Sequence, residues 1–264
     1  MSLAIAAVLA YLVSASGLFL RLFNKLDKQT NLLLGTGVLA VILHSIYLFG
    51  AFDLSHQHSY SLLLVCNIFS LFGSVLVLIF YSISKNLFAV PMVLLFTAFV
   101  CLGNFVFADT ATNSAMWTVE TFLHISLALV SYGILTLATV LTYQYSFLAN
   151  RLKHHDLSVL SLPMPSLNSI EHQIVGLLKV GSLCLATSIV TGFLFMENFL
   201  GSGQAHKTIL TIISFVIFVT VILGHQKQGW RGKIVVGLTT LGVGLLTMGY
   251  FGSRFIREVI LPAS

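Results

Sequence analysis

The sequence predicts an all-α integral membrane protein, a bundle of eight transmembrane helices with both termini periplasmic. Three observations predict it. Of 264 residues, 57% are hydrophobic and 8% charged, against roughly 25% charged in a soluble domain, and the mean hydropathy is +0.99. Most apolar runs reach the ~20 residues a membrane helix needs, and the period-two alternation of a β-barrel strand is missing. The basic residues are also unequally shared between alternate connections, as membrane topology requires.

The spans read from the chain are 2–22, 31–53, 59–82, 87–107, 118–148, 170–196, 207–226 and 232–256. Span one has no basic residue before Arg21, so it lacks the positive start of a signal peptide and reads as a retained helix with its N-terminus outside. Span two, GTGVLAVILHSIYLFGAF, sets His44 on one helical stripe with Gly37, Ala40 and Ala51. Such a stripe admits a neighbouring helix closely or leaves a slot for a flat ligand. Span three carries Asn67 and Ser70, read as helix-packing polar groups. Cys66, Cys101 and Cys184 fall inside apolar segments without a CxxC pair, which supports neither a disulfide nor a zinc site.

Span five contains HISLALVSYG, with Ala128 and Ser131 on the face of His124, Tyr132 beside them and Gly133 roughly opposite. The connection 149–169 is long and proline-bearing, and Asn168 or Ser169 is the expected cap of span six. In span six Lys179 snorkels toward the cytoplasm. Span seven ends at His225, followed by Trp230 at an expected interface. Gly237, Gly242, Gly244, Gly249 and Gly252 of span eight suggest close packing, with Arg254 and Arg257 beyond it as anchors. No period of 20 to 50 residues repeats, so residues 1–264 read as a single polytopic domain.

The connections after spans one, three, five and seven hold nine basic residues: Arg21, Lys25, Lys28, Lys85, Arg151, Lys153, Lys227, Arg231 and Lys233. The opposite side holds three, Lys207, Arg254 and Arg257. That bias places the odd-numbered connections in the cytoplasm. The net charge of +5 therefore reflects topology, and its scatter over short loops excludes a nucleic-acid surface.

Ionisable residues within spans are costly and are functional candidates by default. His44, His124 and His225 are the candidates for cofactor binding, with His172 a weaker fourth. His44 and His124 fall at matched depth on spans two and five, so the two imidazoles suit the axial positions of one haem iron. The alternative is interhelical hydrogen bonding. His225 and His172 suit an inner pair or ordinary interfacial positions, while His56, His58, His154, His155 and His206 fall in loops or at the surface. No nucleophile–base pair, standard metal motif or phosphate loop is visible, so an enzyme is not expected.

Four stretches in order, HISLALVSYG (124–133), PSLNSIEHQIVGLLKVGSLCLATSIVTG (165–192), HKTILTIISFVIFVTVILGHQ (206–226) and GWRGKIVVGLTTLGVGLLTMGYFG (229–252), resemble the cytochrome c assembly membrane-protein family, its CcsA and HemX group. The family-like core spans about 31–256. The resemblance implies a bacterial inner-membrane location, haem b as cofactor and haem handling related to cytochrome c biogenesis. It implies an outward-looking haem site at the position of His124 and a transmembrane haem site at that of His225. Family members also present haem on a tryptophan-rich outer loop. The corresponding segment here, MENFLGSGQAHKTIL, contains no tryptophan, and the second outer histidine expected after Tyr-Phe-Gly is missing. The alternative is thus a non-enzymatic accessory or regulatory subunit of another inner-membrane protein, such as a transporter. Expected partners are the lipid bilayer, haem or that other membrane protein, and no nucleic acid.

Overall fold

The computed structural model describes residues 2–23, 29–51, 62–107, 119–155, 164–195 and 205–252. Among them the regular elements are helices: α1 Ser2–Leu22, α2 Thr30–Ala51, α3 Leu62–Ser84, α4 Ala89–Phe107, α5 Val119–Lys153, α6 Leu167–Phe195, α7 Ala205–Gln228 and α8 Lys233–Thr247, which runs into a π-helical turn at Met248–Gly252. All eight are long and apolar enough to cross a membrane. The expected spans fall on these helices with ends displaced by a few residues. His56, His58, Arg254, Arg257 and the segment 196–204 lie outside the described residues.

Two displaced ends have clear causes. α6 starts at Leu167 because Ser166, rather than Asn168 or Ser169, is its cap: the Ser169 N–H donates to Ser166 Oγ at 3.3 Å, the N-cap geometry. Pro165 disfavours helix for the residue before it, so the helix begins directly after the proline. α5 continues past 148 to Lys153, and the Arg151 guanidinium lies 5.3 Å from the Phe147 ring centre, a cation–π contact that supports the added turn.

The chain forms two compact units, α1–α4 and α5–α8. In the first, α1 packs against both α2 and α4, and α3 against α4 and α2. Ala4, Ala7, Tyr11, Ser14 and Leu18 recur at helical spacing and are all fully buried, which makes α1 the inner helix. The stripe of Gly37, Ala40 and His44 faces it. A methyl group at Gly37 would lie 2.9 Å from Ser14 Oγ and 3.3 Å from Leu94. At Gly37 the small residue therefore admits neighbouring helices and leaves no slot.

In the second unit α5 is central, packed along α6 and against α8, while α7 packs against α6 and α8. This accounts for Gly133: it points away from His124's face and is nevertheless buried, because α5 has neighbours on opposite sides. α5 and α6 approach closely at Gly181. Ser131 Oγ donates to the Gly181 carbonyl at 2.9 Å, and a methyl group at Gly181 would come 2.8 Å from the buried Leu135 side chain. Gly181→Val is expected to cost about 1–3 kcal/mol by overpacking, read as a lower midpoint of heat-induced aggregation in detergent.

Of the span-eight glycines, Gly242 packs most tightly, and Gly249 is buried against Leu210 of α7. Ser214 of α7 donates to the Gly242 carbonyl at 3.1 Å, and a methyl on Gly242 would meet the Phe218 ring at 2.7 Å. Gly237 and Gly244 face open space instead, so the glycine pattern overstated the contact.

Candidate functional site

The three histidines differ in what their ring nitrogens already bind. His44 is fully buried in the first unit. Its Nε2 lies 2.9 Å from Asn67 Oδ1 on α3 and its Nδ1 3.2 Å from the Tyr11 hydroxyl on α1. The Asn67 oxygen only accepts, so Nε2 carries the proton and Nδ1 accepts from tyrosine. Both nitrogens are thus engaged by side chains of neighbouring helices. A metal would have to displace one of them.

His124 lies in the second unit, at the start of α5. Its Nδ1 is 2.9 Å from the Ser188 carbonyl on α6, which fixes the proton on Nδ1. Thr191 Oγ1 stands 3.4 Å from the same nitrogen and donates to the Ser188 carbonyl at 2.9 Å. Ser188 Oγ in turn donates to the His124 carbonyl at 3.4 Å. The small face expected from the sequence makes this possible: Ala128 and Ser131 are buried in line below and let α6 approach. Among the described residues no hydrogen bond engages Nε2. A histidine that donates one N–H to a backbone carbonyl and leaves the other nitrogen as a lone pair has the tautomer and orientation of a metal ligand.

His225 repeats half of this pattern at the far end of the unit. Gly229, at φ 66°, caps α7, and its N–H returns to the His225 carbonyl at 3.2 Å. The left-handed conformation is why a glycine stands there. The turn brings the Trp230 carbonyl to 3.0 Å from His225 Nδ1, so the proton again sits on Nδ1. Nε2 stands 3.5 Å from Glu171 Oε1 of α6, and Arg231 Nε holds the same oxygen at 2.9 Å. His172, the inner partner expected for His225, is exposed on α6. Its neighbour Glu171 occupies that place.

Glu171 was not singled out by sequence reasoning. The available signal was charge: it is a lone carboxylate at the start of a span, on the side where the connections after spans five and seven carry Arg151, Lys153, Lys227, Arg231 and Lys233. A carboxylate within a helix end of that sign is expected to pair with a cation.

Beneath this cluster lies a cavity of about 30 Å³, space for roughly two water molecules. Its lining includes Ile174, Leu178 and Val221 together with Glu171, His225 and Arg231. Trp230 closes one side by lying over Gly224, where any side chain would overlap the indole. Trp230 therefore packs inward on α7 as well as standing near the expected interface. Gly224→Val is expected to expel the indole and shift its fluorescence to longer wavelength, best read in a W117F background because the chain has only two tryptophans.

Ser188 and Glu171 are 17 residues apart on α6, about 25 Å along the helix axis. His124 and His225 therefore serve opposite ends of the unit and are too far apart for one iron. His44 belongs to the first unit and His124 to the second. Among the described residues no group of three or more His, Cys, Asp and Glu gathers around a bare metal ion. A single imidazole with one ring nitrogen unengaged, as at His124, is the kind of donor a porphyrin iron takes at an axial position.

Inner membrane protein YpjD of Escherichia coli K12 is 28% identical over 263 residues, covering 97% of this chain and 98% of that protein. An uncharacterized 28.8 kDa protein in the nifR3-like 5' region of Azospirillum brasilense is 29% identical over 141 residues, 53% of this chain and 52% of that protein. No solved structure matches the chain significantly. The family profile described as cytochrome c assembly protein matches residues 2–261, and the chain belongs to that family.

Proposed function

We propose that this inner-membrane protein binds haem non-covalently and handles it as part of cytochrome c biogenesis. Haem b would supply an iron that accepts a nitrogen donor at its axial position. His124 is the first ligand candidate and His225 the second. The observation that carries the reading is the Ser188 carbonyl on His124 Nδ1 at 2.9 Å, which leaves Nε2 as a lone pair. His44 ranks third, because iron there competes with Tyr11 and Asn67.

The positive-inside bias supports an orientation with both termini periplasmic. In it His225, beside Lys227, Arg231 and Lys233, belongs to the cytoplasmic half, and His124 to the periplasmic half. Haem held at either end would have a place to be received and a place to be released.

One observation favours a second reading, an accessory subunit of another membrane protein. The chain has two tryptophans, Trp117 and Trp230, and neither falls in MENFLGSGQAHKTIL, the segment that the resemblance matches to the haem-presenting loop of the family. The deciding experiment is the absorption spectrum of the detergent-purified chain from haem-replete cells. A Soret band is expected, and a colourless preparation with a stoichiometric partner would establish the second reading.

A further inference from the structure

Lys179 stands on the exposed side of α6. Gly176, Lys179, Val180, Leu183, Thr187 and Val190 recur at three and four residues and are all exposed, so they form one stripe. Among the described residues no hydrogen bond or ion pair holds the Lys179 ammonium. Its depth makes that costly. Glu171 of α6 meets His225 of α7 at 3.5 Å, and the exposed Lys227 and Arg231 mark that level as the water boundary. Lys179 is eight residues further along α6, about 12 Å. Consecutive spans run antiparallel, so the same step back along α7 reaches Ile217, the middle of Ala205–Gln228. Lys179 is thus well inside a hydrocarbon layer about 30 Å thick. The expected snorkelling carries the ammonium only about 6 Å along the lysine stem, roughly half the distance to the boundary.

We propose that this stripe of α6 docks a membrane helix of a second protein, one that carries an aspartate or glutamate at mid-membrane and pairs it with Lys179. The surface is independent of haem ligation, and none of its readouts involves haem.

Charge complementarity selects the occupant. Ionisable groups at such depth almost always pair with one another or face a water-filled cavity, and a lipid chain offers no acceptor. The chain does not supply one either. Of its eight Asp and Glu, only Glu120 and Glu171 fall within the helices, both near an end, and Glu171 is already held by Arg231 at 2.9 Å. A second copy laid face to face would set Lys179 against Lys179, like charge on like. A foreign helix with one buried carboxylate satisfies both partners at once. Gly176 suits its approach: one turn from Lys179 on the same face, it has no neighbouring atom within 4 Å of where a side chain would begin, and a small residue at such a point lets two backbones come close.

The test uses the full chain and has two arms. In the first, the protein in phosphatidylcholine vesicles is titrated with a dilute polyleucine helix carrying one central glutamate, and binding is read by energy transfer. That helix is expected to bind about tenfold tighter than an all-leucine helix, as for one charge-assisted contact, and a helix with its glutamate at one end to show no such gain. K179R keeps the preference and K179L removes it; both alter an exposed residue and leave the packed core intact. In the second arm, a photo-reactive residue replaces the exposed Leu183 in cells. Its product is expected to disappear in K179L, and the captured peptide to hold an Asp or Glu inside a membrane span. The same photo-reactive residue at Leu241 of α8, which is also exposed, gives no product that depends on Lys179. Equal binding of the central-glutamate and all-leucine helices, or a preference that survives K179L, overturns the pairing. Absence of a Lys179-dependent product at Leu183, capture of a second copy of this chain, or capture of a span without an acid overturns the partner.

Discussion

His124→Ala lowers the haem content of the purified protein by at least about tenfold, the scale on which even outer-shell partners of a metal site matter. The Soret band falls in proportion, and His225 accounts for what remains. The expectation rests on the division of labour between the two ring nitrogens. Nδ1 is committed to the Ser188 carbonyl at 2.9 Å, so the imidazole is delivered in one tautomer and one orientation. Substitution removes the donor without removing a core group, because His124 is only partly buried. Thr191→Val makes a graded control. Thr191 donates to the Ser188 carbonyl at 2.9 Å and stands 3.4 Å from Nδ1, so its loss loosens the ring and leaves Nε2 in place. Its effect on haem content is smaller than that of His124→Ala. Added imidazole restoring the band in His124→Gly would identify the lost function as ligation. An unchanged spectrum in His124→Ala would remove the reading of this residue altogether.

What was legible in the sequence follows from which forces are local. Eight apolar runs of membrane length fix the helices, because in lipid every backbone group must be satisfied within its own segment. The small-residue face of His124 was readable for the same reason: Ala128 and Ser131 share its helix, and their periodicity is a property of one segment. Side-chain partners across helices are not. Tyr11 and Asn67 lie 33 and 23 residues from His44, and nothing in either spacing marks them as its neighbours. Glu171 depends on a carboxylate from α6, an imidazole from α7 and a guanidinium from the following turn meeting at one point. Counting charges could at most have shown that Glu171 needs a cation, and only packing selects which. Glycine counting failed at Gly237 and Gly244 because a glycine in a helix says that close approach is allowed, and a neighbour must still be there to use it.

His44→Ala has its main effect on stability and leaves haem content per folded molecule near the wild-type value. His44 bridges the Tyr11 hydroxyl at 3.2 Å and the Asn67 oxygen at 2.9 Å, and all three residues are fully buried. Truncation leaves the Asn67 oxygen without this donor, removes one partner of the Tyr11 hydroxyl and leaves a void. Interhelical hydrogen bonds in membranes average about 0.6 kcal/mol and reach about 1.7, and large-to-small changes in a packed core cost about 2–5 kcal/mol. A loss of about 2–4 kcal/mol is therefore expected, measured by unfolding in mixed detergent. The single-partner variants separate the contributions. Tyr11→Phe leaves Nδ1 without its donor. Asn67→Leu leaves Nε2–H without its acceptor but also removes Asn67 Nδ2, which is buried with no partner, so it costs less than its hydrogen bond alone suggests. A ligand role predicts the opposite ordering: an unchanged unfolding curve, and a Soret band lost with His44 but kept in Tyr11→Phe. The two roles compete for the same two nitrogens, and in the folded chain both are already held by protein side chains.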